Sequence, residues 1–172
     1  FFITMGFIPW LQKHKYWGSN TNQVSMPHSY NRIWIHATWA TKDRRKIIHS
    51  SFEREMYSYM YNQFKQCGCA VKIINGAEDH VHCLFLLNPS KSVAEVIKQV
   101  KGSTSHFINA GDFNIKDFAW QNGYGSFSAS ESVTDYIASY IENQKHHHKR
   151  KTYDNEFAGL LAENHIEPMT NE

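Results

Sequence analysis

Cysteine is scarce in this 172-residue chain, with only Cys67, Cys69 and Cys83. Three thiols so placed cannot make a disulfide framework, and the single residue between Cys67 and Cys69 is too tight for a zinc half-site. A reducing, cytoplasmic setting is therefore expected. Long apolar runs are also missing: no stretch approaches the roughly 18 residues that mark a membrane-spanning helix. Nor is there an excess of one charge, since 18 basic residues face 16 acidic ones for a net charge of +2. Any nucleic-acid footprint must then be local. Two basic runs qualify, "KDRRK" at 42–46, which carries Arg44 and Arg45, and "KHHHKRK" at 145–151.

What is present is the make-up of one globular domain, 41% hydrophobic and 15% aromatic. Residues 1–25 follow no clear periodicity and are expected to be a leader or an expression scar outside the fold, with Met26 as a candidate start. The folded domain is expected over 26–172. From Tyr30 to Ala40, "YNRIWIHATWA" alternates apolar and polar residues as a half-buried strand does. Residues 46–66 place Ile47, Phe52, Met56, Met60 and Phe64 at helical spacing and end at Gly68. "CAVKIINGA" and "HVHCLFLL" read as a strand pair, with "NGAED" as the turn. Ser92, three residues before Glu95, predicts the cap of a helix running to about Ile108. "FAWQNGYGSFSAS" reads as a fourth strand, followed by a long helix over 131–147 and a short one near 156–164. Strand, helix, strand, strand, helix, strand predicts an α+β fold of the ferredoxin-like or RRM-like kind. It is a four-stranded antiparallel sheet with helices on one face and a further C-terminal helix.

His80 and His82 stand two apart on the third strand and so share a face. Val81, Leu84 and Leu86 are expected to turn toward the helices, leaving both imidazoles on the open face. In the last long helix Tyr140 and Gln144 are four apart and lie on one side of it. If that helix crosses the open face, an amide oxygen and a phenol reach the histidine pair. Two imidazoles and one amide oxygen suit Mg²⁺ or Mn²⁺, and a phenol beside a metal can attack a phosphodiester. Tyr136, one turn back, is a rival nucleophile. Lys98 and Lys101 could neutralise phosphates, and Trp120 and Tyr124 could stack on unpaired bases. His146, His147 and His148 fan out around a helix and are expected at phosphates or in solvent.

The series "SYNRIWIHATWATKDRRKII", "DHVHCLFLL", "KQVKGSTSHFIN", "FAWQNGYGSFSAS" and "YIENQKHHHKRKTYDNEFAGLLAENHIE" resembles the HUH single-tyrosine transposases of small insertion sequences and their REP-associated relatives. The likeness spans about residues 29–167. It implies a metal-dependent enzyme that cleaves and rejoins single-stranded DNA through a 5′-phosphotyrosine at hairpin-marked ends. By motif, His80, His82 and Gln144 would be the metal ligands and Tyr140 the nucleophile. The resemblance also implies a nucleoid-associated protein of bacterial or archaeal type. It implies a homodimer as well, in which the tyrosine helix can serve the partner's histidines. A domesticated hairpin nuclease is the alternative within the family. An RRM-like binding module is the alternative outside it, though imidazoles stand where that module wants aromatic rings.

Overall fold

Two strands set the frame. β1 (Trp34–Ala40) and β3 (His80–Leu86) run antiparallel with Thr38 opposite His82 and Ala40 opposite His80. β2 (Ala70–Ala77) pairs with the other edge of β3, and β4 (Gly125–Ala129) with the other edge of β1. The sheet order β2-β3-β1-β4, antiparallel throughout, is the ferredoxin-like arrangement the element order predicts. The computed structural model describes residues 30–113, 115, 117–148 and 152–167. The expected leader at 1–25 lies outside them.

Every residue of β1 and nearly every residue of β3 is buried, because both faces of the sheet are covered. On one side Ile35, Ala37, Trp39, Val81, Cys83 and Phe85 pack under α1 (Glu53–Gln66) and α2 (Val93–Ala110). On the other side Trp34, Leu84 and Leu86 pack with Ile141 and Ile137 of α3 (Thr134–Glu142). This corrects the expected facing of β3. Strand periodicity is two, so Leu84 and Leu86 lie on the histidine side and, of the three, only Val81 lies with the α1 and α2 core.

α1 begins at Glu53, later than the pattern from residue 46, and its end passes into Gly68, whose φ of +73° suits glycine. α2 opens with a full capping box: Glu95 N–H donates to Ser92 Oγ and Ser92 N–H to Glu95 Oε2. Such a cap is worth about 1 kcal/mol. The turn before β3 is shorter than "NGAED". Asn75, Gly76 and Ala77 stay in β2, and only Glu78 and Asp79 make the turn. Gly76 is obligatory there. A β-carbon on it would sit 2.1 Å from the His80 carbonyl oxygen and 2.8 Å from Val81 Cα.

The expected long helix over 131–147 is three pieces. A 3₁₀ turn at Glu131–Val133 leads into α3, and α4 (Gln144–His147) follows after Asn143. Glu131 is tied to β1, taking hydrogen bonds from Arg32 Nη2 (2.7 Å) and Trp34 Nε1 (2.6 Å). The Arg32 hydrogen bond, with that of Trp34, draws its carboxyl down to about 2. β2 then holds α3 at both ends. Lys72 Nζ donates to Thr134 Oγ1 and Asp135 Oδ1 at the start. Asn75 Nδ2 donates to the Ile141 and Glu142 carbonyls, both at 2.9 Å, at the finish. Carbonyls at a helix end have no partner within the helix, and Asn75 satisfies two of them where α3 stops. α5 (Tyr153–Glu163) is capped by Thr152, whose Oγ1 accepts from Asn155 N–H. Among the described residues, no helix is long and apolar enough to cross a membrane.

Candidate metal centre

Four polar side chains converge where α3, α4 and α5 meet the sheet. His80, His82 and Gln144 are fully buried and Glu156 is 2% exposed. The ligating atoms of His80, His82 and Glu156 lie within 4.8 Å of one another. A Glu156 oxygen is 3.6 Å from His82 Nε2 and its other oxygen 3.9 Å from His80 Nε2. Gln144 Oε1 stands 3.4 Å from His80 Nε2, while its Nε2 donates to Glu156 Oε1 at 2.9 Å. The Tyr140 hydroxyl donates to the same Glu156 oxygen. The structure therefore brings together His80, His82, Gln144 and Tyr140, and adds Glu156.

Both imidazoles are held from behind. His80 Nδ1 donates to Asp79 Oδ1 at 2.7 Å, and His82 Nδ1 meets His36 Nε2 at 3.0 Å. Burial, with His82 alongside, pushes the His36 imidazole down to about 3, so it is neutral and its Nε2 can accept a hydrogen bond from His82 Nδ1–H. With both Nδ1 atoms carrying hydrogen, the Nε2 atoms are the acceptors: that of His80 faces Gln144 and Glu156, and that of His82 faces Glu156 and Thr38 Oγ1. This is the arrangement of metal-ligating histidines, whose second nitrogen is fixed by a carboxylate or another acceptor. Burial opposes ionisation of Asp79, but the His80 ring and Arg44 outweigh it and hold the carboxyl below its usual range.

The donors fit a divalent cation. Burial lifts the Glu156 carboxyl to about 7, as expected of a carboxylate withdrawn from water. Two nitrogens, a carboxylate and an amide oxygen match the harder first-row and alkaline-earth ions. His36→Phe, which keeps a ring and removes the acceptor behind His82, should weaken Mn²⁺ binding by about 10- to 100-fold in a calorimetric titration.

Other expected residues have different places. Arg44 turns inward: its Nη2 donates to Asp79 Oδ2 at 2.9 Å and its guanidinium lies 4.1 Å over the Tyr153 ring. Asp43 and Arg44 both adopt positive φ to make that turn. Arg45 stays at the surface, where its Nη1 donates to the Asp117 carbonyl. Lys98, Lys101, Trp120 and Tyr124 all line one groove of about 400 Å³ between α2 and the segment before β4. Lys101 Nζ is engaged there, donating to the carbonyls of Gln121 and Gly123. Trp120 is 8% exposed, edge-on to Trp39 and Phe118, and so is a wall of the groove and not a protruding ring. It also bridges to Thr41 outside the fourth strand, which is shorter than its sequence pattern. Tyr136, the rival nucleophile, is 77% exposed. His148 lies against Glu156, Nε2 to Oε2 2.7 Å, with His80 beside it. His146 is exposed, and the His147 side chain and residues 149–151 fall outside the described residues.

His36, Asp79, Tyr153 and Glu156 escaped the reading of the sequence. The "DHVH" string did carry a signal for Asp79, a carboxylate directly before the first histidine.

The family description for IS200-like transposases matches residues 29–144 of this chain. The chain belongs to that family. It is a DNA-processing enzyme of the transposase kind. The ISDra2 transposase TnpA of Deinococcus radiodurans is 23% identical over 118 residues, covering 66% of this chain and 84% of that protein. Among solved structures, a transposase candidate from Deinococcus radiodurans superposes with a TM-score of 0.58 at 22% identity, covering 69% of this chain and 95% of the other. The REP-associated tyrosine transposase bound to a REP hairpin gives a TM-score of 0.55 at 13% identity, covering 72% and 73%. At these identities the structural likeness establishes a shared fold. The family match ends at Gln144, so Glu156 and α5 lie beyond it.

Proposed function

We propose that the chain cleaves and rejoins single-stranded DNA at hairpin-marked element ends, with Tyr140 as nucleophile and a divalent metal, Mg²⁺ or Mn²⁺, held by His80, His82, Gln144 and Glu156. The observation that carries the reading is the convergence of the two imidazole Nε2 atoms, the Glu156 carboxylate and the Tyr140 hydroxyl in one buried cluster. Bound there, the ion would polarise a phosphodiester and stabilise the charge that grows on its oxygens. Tyr140 Oη attacks phosphorus and gives its proton to Glu156 Oε1, the atom that already accepts its hydrogen bond. The bond from phosphorus to the 3′ oxygen breaks, and that oxygen takes a proton from water. The phosphotyrosine keeps the bond energy, so a later 3′ hydroxyl can reverse the step without ATP. Lys98 and Tyr124, on the groove beside α2, are the surface proposed for hairpin phosphates and unpaired bases. Cytoplasmic, nucleoid-associated action and a homodimer belong to the same proposal. Tyr140 is within reach of its own chain's histidines, so a dimer need not exchange tyrosine helices.

The test uses labelled single-stranded oligonucleotides from the DNA flanking the gene, with Mn²⁺ or with EDTA, on denaturing gels. A protein–DNA adduct should form only with metal. Tyr140→Phe should abolish it, and Tyr136→Phe should leave it. Loss with Tyr136→Phe alone would transfer the nucleophile one helical turn. Tight hairpin binding with no adduct would favour a domesticated or RRM-like binding protein.

A further inference from the structure

A cavity of about 250 Å³ opens directly beside Tyr140, between β1 and β4 of the sheet and the helices α3 and α5. His36 and Phe127 line it from the sheet, Tyr136 and Tyr140 from α3, and Leu160 and Glu163 from α5. Its volume suits one nucleoside and not the end of a duplex. Its chemistry selects which part of a nucleotide can enter. Glu156 and Glu163 are both in the lining, and carboxylates repel phosphate. The rings of Phe127, His36 and Tyr136 offer faces or edges to a flat aromatic base. A carboxylate also accepts hydrogen bonds from an exocyclic amino group, as Glu and Asp do from cytosine N4.

Tyr136 adds the decisive placement. It is 77% exposed, lines this cavity, and stands one helical turn from Tyr140, about 6 Å along the axis. That is on the order of the reach from a phosphorus to the base of its own nucleotide. An exposed aromatic ring at the mouth of a cavity offers a stacking face to a planar group that enters it.

Resting on the reading of Tyr140 as nucleophile, we propose that this cavity is a base subsite. It takes the base of a nucleotide adjoining the scissile phosphate, stacked on Tyr136, and Glu163 favours bases that bear an amino group over thymine. Tyr136 is thereby a specificity residue for the strand being cut.

The experiment scans 2-aminopurine, which carries an exocyclic amine, through each position of the single-stranded oligonucleotide. Binding is followed by fluorescence with the full chain, in Tyr140→Phe so that cleavage does not intervene, and adduct kinetics are followed with Tyr140 intact. One position next to the cut should be quenched. Tyr136→Ala should remove that quench and raise KM by roughly 5- to 150-fold, the worth of one stacked base, with kcat little changed. Tyr136→Phe should restore both. Glu163→Gln should shrink the difference between cytosine and thymine at that position. Mn²⁺ titration should be the same in all Tyr136 variants, which separates base binding from loss of fold. The subsite is overturned if Tyr136→Ala quenches like its parent, or if Tyr136→Phe is as defective as Tyr136→Ala. Quenching at one position with no adduct from the Tyr140 chain would keep the subsite and sink the nucleophile assignment.

Discussion

Glu156→Ala should lower Mn²⁺ affinity by roughly a hundredfold or more, at least the upper end of what altering a supporting residue of a metal site costs. Among the described residues, Glu156 is the one carboxylate whose oxygens face both histidine Nε2 atoms, at 3.6 and 3.9 Å. Donors bound at a little over 2 Å around one ion stand at about such separations from each other. It also supplies the negative charge that neutral histidines and an amide cannot. Glu156→Gln should fall between, because an amide oxygen can still coordinate but brings no charge. Tyr140→Phe should bind the metal as the unmodified chain does, and serves as the control for altered packing around α5. Calorimetric titration distinguishes these outcomes. If Glu156→Ala binds Mn²⁺ normally, Gln144 is the sole oxygen ligand and Glu156 acts only on Tyr140.

The second large effect concerns a residue with no side chain. Gly76→Ala should destabilise the fold by about 3 kcal/mol or more, a substantial part of the roughly 5–15 kcal/mol available to a domain. The added carbon would meet the His80 carbonyl oxygen at 2.1 Å, and this neighbour is backbone of the paired strand with no rotamer to change. The β2–β3 pair must spread just where His80 begins β3. Thermal unfolding should shift by about 6–12 °C for a chain of this size, and the same variant should bind Mn²⁺ less well. Gly102→Ala is the matched contrast. Nothing lies within 4 Å of its added carbon in the middle of α2, so the helix should gain about 0.5–1 kcal/mol. A fall in stability at position 102 equal to that at position 76 would refute the steric account.

The order of strands and helices was readable because each element carries its own period, and the histidine pair because both residues sit in one strand. What was hidden depends on contacts between distant segments. β1 alternates like a strand with one wet face, yet His36 and Thr38 are buried because α3 and α5 close over that face. Glu156 sits in α5 much as a solvent-facing glutamate would, and only the packing of α5 on the sheet brings it to the histidine pair. The break at Asn143 has no glycine or proline to announce it. Its partner is Asn75, 66 residues away from Ile141 in the chain. Arg44 shows the reverse dependence, since a charged run that reads as a nucleic-acid footprint places one member inward, where it braces Asp79.

Because Lys72 and Asn75 fasten both ends of α3 to the edge strand of the same chain, the proposed nucleophile and the proposed ligand set are carried on one anchored unit. On the proposed function, a single folded copy would then hold every group the reaction needs. Its yield of adduct should then scale in simple proportion to protein concentration, down to dilutions at which copies no longer meet. Inactivation by mutation should follow the same logic: a chain damaged at Tyr140 would not be rescued by one damaged at His80, and each defective copy would remain defective in company.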